Sequence, residues 1–90
     1  MVKIDVAQLI TNFSSLAERW LEGGDLRVAL DLDDLSMRLM SASGHLLQAP
    51  ELAGQLHDFR KTVRRGEREQ ARLLLVAMEP LLRRFVEEAV

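Results

Sequence analysis

Gly24-Asp25-Leu26-Arg27-Val28-Ala29 and Gly66-Glu67-Arg68-Glu69-Gln70-Ala71 are two copies of one phrase, and their reading decides the fold. In each, an apolar-periodic segment runs into a glycine, an acid follows at once, and an alanine stands five places after the glycine. Glycine ends a helix because it enters the left-handed backbone region without a Cβ penalty, and the acid that follows caps and charge-matches the next helix N-terminus. The small alanine lets the second helix approach the first. The chain therefore reads as two helical hairpins.

Working outward from these turns gives an all-α chain of about four helices over 5–22, 25–43, 50–65 and 67–89, forming either a small antiparallel bundle or a stack of hairpins. The first helix begins at Asp5, with Gln8 three residues later as in a capping box and Ile4 and Leu9 placed as a hydrophobic staple. Val6, Leu9, Ile10, Phe13, Leu16, Ala17, Trp20 and Leu21 then recur at three-and-four spacing, one broad apolar face ending at Gly23-Gly24.

The second helix carries two apolar stripes. Val28, Leu32, Leu35, Leu39 and Ala42 form one seam, while Leu26, Ala29, Leu30, Met37 and Met40 lie nearly opposite. A helix that is apolar on two sides needs two partners, supplied by the same chain or by another. Asp33 falls within the second stripe where the period wants an apolar residue; its plain reading is a boundary carboxylate paired with an arginine, its functional reading a partner contact. Gly44 to Ala49 reads as the linker, and Pro50 suits the first turn of a third helix bearing Leu52, Leu56, Phe59 and Val63 on one seam. The fourth helix presents Ala71, Leu74, Leu75, Met78, Leu82, Phe85 and Ala89, and Pro80 within it is expected to bend the chain near Val76.

Ninety residues with 48% hydrophobic and 29% charged side chains fit a single domain over 1–90 of globular composition. A chain of this size buries only roughly 60% of the surface its unfolded form exposes, so its stability is modest or shared with a partner. No cysteine is present, which excludes disulfides, thiolate metal sites and a cysteine nucleophile and suits a reducing cytoplasm. The segment after Met1 is amphipathic rather than a signal core, and the longest apolar run, Leu73 to Met78, is too short to span a bilayer. The net charge of −2 is unevenly placed: residues 1–59 hold four basic against nine acidic side chains, and residues 60–90 hold eight against five.

Residues 16–30, from Leu16-Ala17-Glu18-Arg19-Trp20 through Gly24-Asp25-Leu26 to Ala29-Leu30, resemble the middle of a tetratricopeptide repeat. In that family an aromatic near the end of helix A, then Gly-Asp, then an aromatic, then Ala in helix B is the usual run. Trp20, Gly24, Asp25 and Ala29 occupy the matching places, with Leu26 where the family prefers tyrosine. Residues 58–72 match less, keeping Gly66, Glu67 and Ala71 but holding Thr62 and Arg68 where aromatics are expected. The copies stand 42 residues apart, against a family period of about 34. The resemblance implies a peptide-binding or assembly module without catalysis.

Catalytic patterns are missing from the sequence. His45 and His57 have no metal-ligand spacing, and no serine has a histidine and acid arranged about it. Asp33-Asp34 and Glu87-Glu88 are chain neighbours that point about 100° apart on a helix. The stretch Leu26 to Leu35 looks like the opening of a helical chorismate mutase, but Gly44 and Gln55 stand where that family's carboxylate-holding cations belong, so amphipathic helix explains it. No enzyme activity, cofactor or metal is expected.

Two function classes follow. The first is an adaptor or chaperone-like module that holds a partner helix or peptide, or a second copy of itself, through Leu26, Leu30, Asp33, Met37 and Met40; methionines suit varied partners because they are adaptable and polarizable. A bacterial secretion or flagellar export chaperone is one concrete form, such proteins being often small, acidic and helical. The second is a regulator that meets nucleic acid through Arg60, Lys61, Arg64, Arg65 and Arg68. Against the second, no aromatic interleaves those cations for base stacking, the chain as a whole is acidic, and cations in the last turn of a helix already complement its dipole.

Overall fold

A computed structural model describes residues 6–43 and 49–89. They form four helices: α1 (Val6–Leu21), α2 (Leu26–Ser41), α3 (Pro50–Arg64) and α4 (Arg68–Ala89). The expected bounds hold to within a residue at most ends. The proposed Asp5 cap, the Ile4 staple partner, His45 and the linker up to Gln48 lie outside the described residues.

Each helix packs on its chain neighbours, and α4 also packs on α1, so the four close into an antiparallel ring rather than an open row. The dimensions are 35 × 25 × 17 Å, and the long one matches α4, whose 22 residues span about 33 Å at 1.5 Å per residue. No described helix is long and apolar enough to cross a membrane.

The predicted seams supply the core. Ile10, Phe13, Ala17 and Trp20 come from α1, and Leu52, Leu56, Phe59 and Val63 from α3. Ala71, Met78, Leu82 and Phe85 come from α4. Phe13 and Phe59 meet edge to face across the middle of the ring, centroids 5.4 Å apart and planes at 63°, a preferred aromatic geometry that ties α1 to α3.

On α2 and the two residues after it the buried line is Leu32, Ser36, Leu39, Ala42 and Ser43, while the expected seam members Val28 and Leu35 are only half-buried. The two serines are admitted because each satisfies its hydroxyl locally: Ser36 donates to the Leu32 carbonyl at 2.7 Å, and Ser43 to the Met40 carbonyl at 3.1 Å.

The two turns are less alike than their sequences. In the first, Gly23 rather than Gly24 takes the left-handed backbone, with φ 116°. Gly24 is required for a different reason: a Cβ there would lie 2.9 Å from the Trp20 Cα and 2.9 Å from Val28 Cγ1. Asp25 is the N-cap as expected, its Oδ1 accepting the Val28 N–H at 3.1 Å. In the second turn Gly66, φ 70°, is the left-handed residue, and the bonds Gly66 N–H to the Val63 carbonyl and Glu67 N–H to the Thr62 carbonyl form a Schellman motif. The Glu67 carboxylate does not cap α4 but stands 3.8 Å from Arg65. Both alanines occupy one structural place, Ala29 and Ala71 donating to the carbonyls of Asp25 and Glu67.

α4 runs through Pro80 as one helix. The ring removes the N–H that Val76 would bond, and both residues lie on the exposed side of the helix.

Candidate functional surfaces

The α2 residues proposed to meet a partner separate into two groups. Leu26, Leu30 and Met37 are exposed on the outer side of the ring, at 74%, 62% and 49%. At 100° per residue, Leu30 lies about 40° from Leu26 and Met37 about 20° from Leu26, so the three share one stripe. Met40 does not belong to it: it is half-buried and packs against the core, as does Ala29. The two-striped pattern on α2 is therefore resolved by angle, with one edge of the stripe, Ala29 and Met40, taken inward and the rest left in solvent.

Asp33 is also structural. Arg60 donates to it through Nε at 2.9 Å and through an η nitrogen at 3.3 Å, a forked pair joining α2 to α3, with Arg64 at 3.7 Å behind. The side chains of Asp33 and Arg60 are only 22% and 14% exposed, so each needs the other to offset its desolvation. This is the plain reading of Asp33 anticipated from the sequence.

That pairing draws Arg60 out of the basic set, and Arg68 is drawn out in a second way. Its Nε donates to the Trp20 carbonyl at 3.1 Å, an η nitrogen donates to the Gly24 carbonyl at 3.0 Å, and the guanidinium lies 5.0 Å from the centre of the Trp20 ring. The Trp20 carbonyl also accepts the Gly23 and Gly24 N–H groups, each at 3.1 Å. Arg68 thus caps the C-terminus of α1 from the start of α4 and joins the two turns at one end of the bundle. Sequence reasoning missed this, although the aromatic before one glycine and the arginine after the other were both in view.

Arg65 pairs with Glu67 at 3.8 Å, which leaves Lys61 as the one cation of the five without a polar partner or ring contact among the described residues. Two of the five, Arg60 and Arg68, thus have their guanidinium groups engaged within the bundle. Among the described residues no three His, Cys, Asp or Glu side chains stand close enough to share a metal ion.

A second feature, unforeseen from the sequence, is a groove of about 600 Å³ where α1 meets α4. Leu21, Leu75 and Leu82 form its floor, and Glu18, Glu22, Arg72 and Glu79 stand along its edges. It continues past Ser14 toward Ile10, Val86 and Glu87. Two more exposed apolar residues, Leu73 and Val76, lie on the same helix, Val76 on the groove's lip.

Comparison with protein-family models, with curated proteins and with solved structures finds no match for this chain.

Proposed function

We propose that this chain is a small, non-catalytic protein-interaction module whose docking face is the outer side of α2. The observation that carries the reading is the line of Leu26, Leu30 and Met37, three large apolar side chains left in solvent by a helix whose other face fills a core. One such residue on a surface is ordinary; three on one stripe of one helix fit a helix or peptide laid alongside, or a second copy of the chain. Arg27, Asp31, Asp34 and Arg38 border the stripe on one side with both signs of charge, and Arg38 and Asp34 pair at 3.2 Å, so that border stays hydrated while the stripe desolvates. The likeness of the first turn to tetratricopeptide hairpins points to the same class, and the cysteine-free composition suits work in a reducing cytoplasm.

The regulator reading has less behind it, because Arg60 and Arg68 are already engaged within the chain. Phosphate binding through the remaining cations would give affinity that falls steeply with salt, whereas an apolar face is nearly indifferent to it.

The test compares two aspartate substitutions by circular dichroism and by binding of a hydrophobic dye. Leu30→Asp keeps the helical signal and lowers dye binding or self-association severalfold. Met40→Asp, which pushes a charge into the core boundary, loses helical signal instead. Dye binding and self-association unchanged in Leu30→Asp would overturn the proposal.

A further inference from the structure

The groove between α1 and α4 is a second surface, and none of the residues that line it belongs to α2. Its length follows from the helices that wall it. α4 contributes from Arg72 to Glu87 and α1 from Ile10 to Glu22, which at 1.5 Å per residue is about 18–22 Å, or roughly three to four helical turns. The floor is apolar along that course, with Leu21, Leu75, Leu82 and Val86. The seam stays open because Ser14 and Glu18 hold the α1 positions that would have to be apolar for α1 to close on α4.

The edges carry an excess of acids. Glu18 and Glu22 on α1 and Glu79 and Glu87 on α4 line it against Arg72 and Arg83. Arg83 is held by Glu79 at 2.8 Å, and Glu18, Glu22 and Glu87 have no ion-pair partner among the described residues, nor has Arg72, so acids outnumber bases three to one among the unpaired groups. Carboxylates left unpaired beside apolar side chains draw cations, and they repel an anionic lipid surface or a nucleic acid. An apolar channel of helical length with an acidic rim matches one kind of occupant.

From this we infer that the α1/α4 groove docks an amphipathic helix of about 14 residues with an apolar stripe at i, i+3, i+4, i+7 spacing and lysines or arginines on both flanks. The stripe seats on Leu75 and Leu82, and the flanking cations reach Glu18 and Glu22 on one side and Glu87 on the other. Paired with the α2 face, the groove makes the chain a two-sided connector, although its occupancy does not depend on that face.

The experiment titrates the full chain with two synthetic helical peptides of identical leucine stripe, one flanked by lysines and its twin by glutamates. Fluorescence anisotropy gives the affinity and amide chemical shifts give the location. The expected result is that the lysine peptide binds at least about tenfold tighter at low salt, shifting Ser14, Val76 and Glu79. Glu18→Lys combined with Glu22→Lys removes about tenfold of that affinity with helicity unchanged. Leu26→Asp combined with Leu30→Asp leaves it intact, which separates this site from the α2 face. Equal affinity for the two peptides, shifts confined to α2, or no saturable binding up to about 1 mM would each overturn the inference.

Discussion

The α2/α3 seam and the α1/α4 seam are made of the same materials, leucines below and charged side chains above, yet one is closed and the other open. Across α2/α3 the charges have opposite sign: Asp33 on one helix receives the forked guanidinium of Arg60 on the other. Across α1/α4 no ion pair forms among the described residues: Glu18 and Glu22 stand on one side, Arg72 and Glu79 on the other, and Glu79 finds its arginine on its own helix at 2.8 Å. Charges that pair lose their water together and draw two helices in; charges that stay unpaired keep their water and leave the seam open. In so small a bundle the polar residues at the helix edges thus decide which apolar surface becomes core and which stays open to solvent.

The contrast breaks most completely if the floor common to the ring is removed. Phe59→Ala leaves Phe13 without its ring partner and costs about 4 kcal/mol, enough to unfold most of a domain this size at 37 °C, read as loss of a cooperative thermal transition. Next comes the charge pair of the closed seam. Asp33→Ala strands the 14%-exposed Arg60 and costs about 2 kcal/mol, lowering the melting temperature by roughly 8–16 °C. Glu18→Ala in the open seam changes stability by less than about 0.5 kcal/mol under the same measurement. A third, smaller effect lies at the end of the bundle where the turns meet: Arg68→Ala costs about 1 kcal/mol in urea unfolding, and Arg68→Lys does not restore it, because an ammonium cannot serve two carbonyls and a ring face with one planar fork. The smallest change sharpens the comparison by closing the open seam. Ser14→Leu adds apolar surface along the α1/α4 groove, raises the urea midpoint by an amount equivalent to about 0.5 kcal/mol, and competes with any helix that docks there.

The helices were legible because local rules and tertiary packing agree in them. The Gly66 turn, the Asp25 cap, the Pro50 start and the Leu52-Leu56-Phe59-Val63 seam each follow from backbone chemistry or a 3.6-residue period. What the period could not show is which edge of a broad apolar face turns inward. Met40 and Met37 belong to the same stripe in sequence, yet the packing of α2 in the ring takes one against the core and leaves the other in solvent. Ser36 and Ser43 were unreadable as core because composition counts a serine as polar, while a hydroxyl bonded to its own helix behaves as a small apolar group. The ties Arg60 to Asp33 and Arg68 to Trp20 join residues 27 and 48 positions apart, a separation across which sequence pattern carries no pairing signal. The α1/α4 groove was hidden for the same reason, since it depends on how two helices at opposite ends of the chain are set beside each other.

The central claim, that the outer stripe of α2 is a docking face rather than idle surface, is tested most directly by light scattering over a dilution series, for the natural chain and for Leu26→Asp combined with Leu30→Asp. The account predicts one of two signatures of a working face. Either the natural chain shows twice the 10.2 kDa chain mass at high concentration and the variant returns it to the monomer, or the natural chain is a monomer whose hydrophobic-dye binding the variant abolishes. A 10.2 kDa particle at every concentration, with no dye signal and no difference between the two proteins, would contradict it.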